Sequence, residues 1–146
     1  MSFFAVADDI RQRFEAALPD VIVSEPRDIA QIKTVLGAAG VAVAILYKGY
    51  AQQSDTGWGS NVTLTQTWWV VVVVNDEDQE EIGQALRLQA DAALTAILRV
   101  LPGAQPALGN AFQYHLAPAP DMATEPGWAY IPLAFSTILN FTGAKP

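Results

Sequence analysis

The chain has 146 residues, enough for one domain with a core that needs no covalent staples. It contains no cysteine, which excludes disulfides and thiol chemistry, and its formal net charge of −7 argues against an electrostatic grip on nucleic acid or an anionic membrane. Hydrophobic residues make up 51% and charged residues only 16%, below the roughly 25% usual for soluble domains, so part of the surface is expected to face something other than water.

From the N-terminus, Phe3, Ala7, Ile10, Phe14 and Ala17 recur at helical spacing between Asp8, Asp9, Arg11, Gln12 and Glu15. This predicts an amphipathic helix ended by Pro19-Asp20. Acids stand where a secretory leader needs basic residues, and a soluble protein made in a cytoplasm is the expectation. Residues 21–27 read as extended because Pro26 turns its neighbour away from helix. Asp28 can cap a short helix, "DIAQIKTVLG", that Gly37 closes. The longest mostly apolar run, 35–47, is 13 residues with two glycines, short of the roughly 20 of a membrane-spanning helix.

Residues 41–50 alternate as a strand, with Val41, Val43, Ile45 and Tyr47 on one face and Ala42, Ala44, Leu46 and Lys48 on the other. After the loop "QQSDTGWGSN", a second strand covers 64–75, and the two form a long hairpin. Its segment "TWWVVVVVN" is rich in β-branched residues and apolar on both faces: Trp69, Val71 and Val73 against Trp68, Val70, Val72 and Val74. The acids from Asp76 to Glu81, with a capping box from Asp78 to Glu81, introduce the longest helix. Its apolar stripe is Ile82, Leu86, Ala90, Ala93, Ile97 and Leu101, and Pro102-Gly103 stop it. A short strand over 112–116, the loop "APAPDMATEPGW" and a last strand over 128–141 complete the chain. Pro132 places that last strand at an edge or a bulge.

No repeat or linker divides residues 1–146, so one domain is expected. The order α-β-β-α-β-β predicts an α+β fold: a two-layer sandwich with a mainly antiparallel sheet of about four strands and two main helices on one face. One face of the Trp-Val strand is then left uncovered by the main helices. Its row exposes on the order of 300–400 Å², the size at which a patch marks an interaction site. Cover comes either from within the chain, through the short helix after Asp28 or the long loops, or from a neighbouring subunit. Trp58, flanked by glycines, folds back on its own sheet or anchors a neighbour.

Chemistry is sparse. His115 is the sole histidine, on a strand with no carboxylate at a local ligand spacing. Asp76, Asp78 and Glu80 imitate a calcium loop, but Glu81 stands where glycine is needed and Arg87 where glutamate is needed. The glycines form no phosphate cradle, and the eight basic residues form no stripe. No catalytic, metal or cofactor site is expected, and the protein reads as a non-enzyme.

Taken together, the N-terminal amphipathic helix, the hairpin strand "TQTWWVVVVVN", the acid-led helix ending "LPG" and the closing strand "GWAYIPLAFST" carry a family likeness. Over residues 3–141 the chain resembles the tail terminator (tail completion) proteins of long-tailed bacteriophages, including the Mu-like prophage minor tail proteins. The resemblance implies a homo-oligomeric ring, often a hexamer, that caps the tail tube protein, ends its polymerisation and offers a surface to a head-completion or connector protein. DNA would pass through without specific binding, and no membrane, cofactor or active-site residue is implied. The virion tail, assembled in the host cytoplasm, is the implied location. On this chain the candidate interface residues are Trp58, Trp68, Val70, Val72, Val74 and Pro132. A head–tail connector or neck protein is the alternative within the class. Outside it stands a small-ligand module in which Trp68, Trp69, Trp128 and Tyr130 hold an apolar ligand.

Overall fold

A computed structural model describes residues 3–26, 30–31, 39–56, 61–76, 84–109 and 111–142. The elements run α1 (Ala5–Ala17), β1 (Ile22–Ser24), β2 (Ala39–Thr56), β3 (Asn61–Asp76), α2 (Gln84–Val100), β4 (His115–Ala117), β5 (Ala123–Glu125) and β6 (Trp128–Thr142). Most of the short helix predicted after Asp28 lies outside the described residues, with Ala30 and Gln31 helical. The acidic capping box before α2 and the Trp58 loop also lie outside them.

Local sequence explains most of these elements. α1 begins without a side-chain cap, and it ends where Leu18 N–H donates to the Phe14 carbonyl at 2.7 Å, just before Pro19. Val6, Ala7, Ile10 and Phe14 are its buried stripe. α2 buries Ala90, Ala93 and Ile97, and the turn after it is completed by Gly103 at φ 79°, a left-handed conformation that suits glycine. Continued pairing of Gln52 to Thr56 with Asn61 to Leu64 extends β2 and β3 well into the predicted loop, leaving only residues 57–60 between them.

Among the described residues the sheet has six strands rather than about four, in the order β1-β2-β3-β6-β4, with β5 also on β6. It is mixed: β1 runs parallel to β2, and the other pairs are antiparallel. The two additional strands are three residues long and carry no apolar alternation of their own. β1 exists by pairing Ile22 to Ser24 with Ala42 to Ala44. β5 falls in the predicted "APAPDMATEPGW" loop, where Pro126-Gly127 forms a two-residue turn with Gly127 at φ 76°. Proline fixes the first position of such a turn and glycine tolerates the positive φ of the second.

β6 is the other departure. It lies between β3 and the short strands rather than at an open edge. β4 pairs with Ala134 to Ser136 and β5 with Trp128 to Tyr130, so residues 131–133 stay uncovered on that side. Pro132, which has no N–H to offer, sits in this gap.

Two apolar layers result. Between the helices and the sheet lie Val6, Ile10 and Phe14 of α1, Ala93 and Ile97 of α2, and Val43, Val70, Val72 and Phe135 of the sheet. On the opposite sheet face Ala42, Ala44, Leu46, Val71, Val73, Trp128 and Tyr130 form a smaller buried cluster.

Candidate interaction surface

The register decides which row of the Trp-Val strand faces which layer. Val41 pairs with Val74, Val43 with Val72, Ile45 with Val70 and Tyr47 with Trp68, and all of these pack in the helix-side core. Trp68, Val70, Val72 and Val74 are 3%, 0%, 0% and 1% exposed. As candidate interface residues these four are therefore corrected: they offer no side-chain surface to a neighbour. The even-numbered row was free to face either way on sequence grounds because both rows are apolar, and α1 and α2 claimed it.

The odd-numbered row holds the second face. That face is not left bare, for Val71 is 1% and Val73 0% exposed within the single chain. Cover fades toward Trp69 and Pro132, which are half-buried. Trp69, Val71, Tyr130 and Pro132 floor a groove of about 180 Å³ whose wall is Pro120, Asp121 and Ala123, from the segment leading into β5. The Lys48 ammonium stands 4.0 Å from the centre of the Trp69 ring, a cation–π contact that shields part of the indole. Trp128 and Tyr130 stack at 6.2 Å with ring planes 8° apart. Trp68 is on the other side of the sheet from Trp69, Trp128 and Tyr130, so these four do not line one ligand cavity. The groove is also smaller than the roughly 300–1,000 Å³ of ordinary ligand sites.

A second feature went unread in the sequence. Residues just before α1 pack on the sheet beyond the Tyr47/Tyr50 register shift, where Gly49 adopts φ 105°. Phe3 meets Tyr47, Tyr50 and Phe141 at ring distances of 5.9, 5.7 and 6.3 Å, and its carbonyl accepts a 2.8 Å hydrogen bond from the buried Gln66 amide. Gln66 Oε1 in turn accepts from Trp68 Nε1 at 3.2 Å. Phe4 and Tyr50 remain largely exposed at the rim of this cluster.

A third feature is an ionic knot at the far side of α1. Asp9 Oδ2 accepts from the Tyr114 hydroxyl at 2.6 Å and from Arg13 Nε at 2.9 Å, while Oδ1 accepts from the Ala107 N–H at 3.0 Å. Arg13 also donates to the Gln105 carbonyl at 2.6 Å. Burial acts to raise the Asp9 pKa, but the Tyr114 bond, Arg13 and the Ala107 N–H outweigh it and hold the carboxyl below its ordinary value. Burial, then the Asp9 bond and charge, push the Tyr114 hydroxyl far above the usual tyrosine range. The only sequence sign of this knot was the i, i+4 spacing of Asp9 and Arg13. The neighbouring His115 is exposed on β4 and is no partner in these bonds. Among the described residues no three His, Asp or Glu side chains gather as metal ligands.

This is a two-layer sheet domain whose distinctive surfaces are strand edges, aromatic rims and an apolar groove. Its fold is shared with a chain in the virion of a native gene transfer agent particle, with a TM-score of 0.63 and 16% identity over 95% of this chain and 99% of that one. No curated protein sequence matches it. The chain belongs to the phage tail terminator family, whose model, described as phage tail terminator protein, matches residues 1–144. The resemblance seen in the sequence holds, and the family is one of structural tail proteins rather than a class of enzymes.

Proposed function

We propose that this protein caps a phage or prophage tail tube as an oligomeric ring, ends tube polymerisation and provides the surface on which the head is joined. The observation that carries the reading is the family match over residues 1–144. Its partners on this reading are further copies of itself, the tail tube protein and a head-completion or connector protein, within a virion tail built in the host cytoplasm. The formal net charge of −7 suits a passage through which DNA slides without adhering. Trp58 and Pro132 remain proposed contact residues, Pro132 through the groove it shares with Trp69.

The direct test is a phage in which this gene is deleted and then supplied in trans. Expected are tubes of irregular, excessive length that fail to join heads, with normal tails restored by the wild-type chain, all read by electron microscopy. Tails of normal length that bear heads without the protein would overturn the proposal. Tubes of normal length that lack heads would instead indicate a connector role.

A further inference from the structure

We propose that copies of this chain join by continuing one another's sheet, the β4 edge of one subunit docking along residues 45–51 of β2 in the next. The inference rests on the ring reading above and names the surfaces that would build it.

Consider first the β2 flank. β1 covers Ala42 to Ala44 and goes no further, while β2 runs on to Thr56. Past Ala44, no described strand pairs with β2 on that side. Lys48, Tyr50, Ala51 and Gln52 are exposed along it, Tyr50 to 61%, and Phe4 beside it to 55%. Two aromatic side chains this open, next to an unpaired edge, mark a place that another chain can cover.

The opposite flank carries the matching features. β4 is the last described strand on its side, and Phe112 and Leu116 there are 56% and 57% exposed. Both flanks lie on the same transverse rows of the sheet. Leu116 pairs with Phe135, Phe135 with Trp68, and Trp68 with Tyr47. Phe112 N–H donates to the Ile138 carbonyl at 2.9 Å, Ile138 pairs with Thr65, and Thr65 with Ala51. Residues 112–117 on one flank are thus level with 46–51 on the other, within the part of β2 that β1 leaves free.

Strand direction agrees. Three successive antiparallel pairings lead from β2 through β3 and β6 to β4, so β4 runs opposite to β2. A second copy placed sideways in the same orientation brings its β4 antiparallel to β2, continuing the alternation already present. Such a contact joins two different surfaces, so it repeats from copy to copy and closes as a ring where the rotation divides the circle. The short β4, the charge of Lys48 and the register shift at Tyr47/Tyr50 make both edges poor templates for unrelated strands, which leaves a shaped partner as the occupant.

The chain has no cysteine, so introduced thiols are unique reporters. The double variant Tyr50→Cys/Leu116→Cys, treated with a bis-maleimide whose spacer tolerates a small register offset, is expected to give a ladder of covalent multimers. Each single variant should give none. Native mass spectrometry of the wild type over a concentration series is read alongside. Dimers from either single variant would mean like-to-like contacts and would overturn the proposal. Higher-order wild-type species without a ladder would also overturn it, while leaving the tube-capping reading intact. A wild type that stays monomeric with no ladder would overturn it too, and tail length in the deletion phage would then decide the capping reading separately. Tyr50→Lys and Leu116→Lys should each raise the apparent dissociation constant on the order of tenfold or more, the loss typical of an interface anchor, with the melting temperature unchanged for Leu116→Lys and only slightly lowered for Tyr50→Lys, which loses its Phe3 contact.

Discussion

The two faces of β3 carry almost the same side chains yet are finished differently. On the helix side, Trp68, Val70, Val72 and Val74 are sealed by regular elements whose own apolar stripes meet them. On the other side, Val71 and Val73 are as deeply buried, but the cover thins until Trp69 and Pro132 border an open groove. Hydrophobicity alone therefore did not choose which row became the closed core. Two amphipathic helices did, because a helix stripe buries a long, straight row and an irregular segment buries only what it crosses.

The largest losses of stability are expected at the helix face. Phe135→Ala should cost about 3–5 kcal/mol in urea unfolding, since the ring is wholly enclosed between sheet and helices. Next is the knot that fastens α1: Asp9→Ala should cost about 3 kcal/mol, because Tyr114, Arg13 and the Ala107 N–H all lose their acceptor. This knot also gives a pH signature. Asp9 has a folded-state pKa below its ordinary 3.8, so its stabilisation is complete above that value and is lost as pH falls through the lower, folded one. Wild-type melting temperature should thus fall more steeply below about pH 4 than that of Asp9→Asn.

The second face should yield less. Val73→Ala is expected to cost roughly 2 kcal/mol, comparable to a helix-face valine if the inner part of this face is as tightly packed as its burial indicates. Trp69→Ala should cost only about 1 kcal/mol, as a half-buried ring loses less apolar contact. Smallest of all, Lys48→Ala should change stability by about 0.5 kcal/mol through the lost ring contact. A Trp69→Ala loss as large as that of Phe135→Ala would erase the distinction between the two faces.

The parts of this fold that were legible in the sequence are those with a period of their own. α1 and α2 announced themselves through Ile10, Phe14, Ala93 and Ile97, and β2 and β3 through runs of β-branched residues. β1 and β5 were not legible as strands, because three residues carry no period and their extended form is imposed by the neighbour they pair with. The facing of β3 was undecidable for a different reason: alternation signals a buried face only when the other face is polar. The surface features were hardest. Tyr47 and Leu116 fall on one row through a chain of pairings across the sheet, and Asp9 meets Tyr114 across 105 positions of sequence. Neither relation leaves a local trace.

The position of β6 has a consequence for how the protein comes into being. It follows β2, β3 and β4 in the chain, yet it enters the sheet between β3 and β4. A nascent chain that has emerged as far as residue 120 already holds the whole β2–β3 hairpin, but the β3 flank that will receive β6 is bare and β4 has nothing to pair with. Pairing of residues 128–142 with that flank is a long-range step of the kind that slows folding. Insertion of β6 then sets β4 in place as the outer edge, so on the proposed sheet-to-sheet joining a chain truncated before residue 128 would lack one of the two joining surfaces.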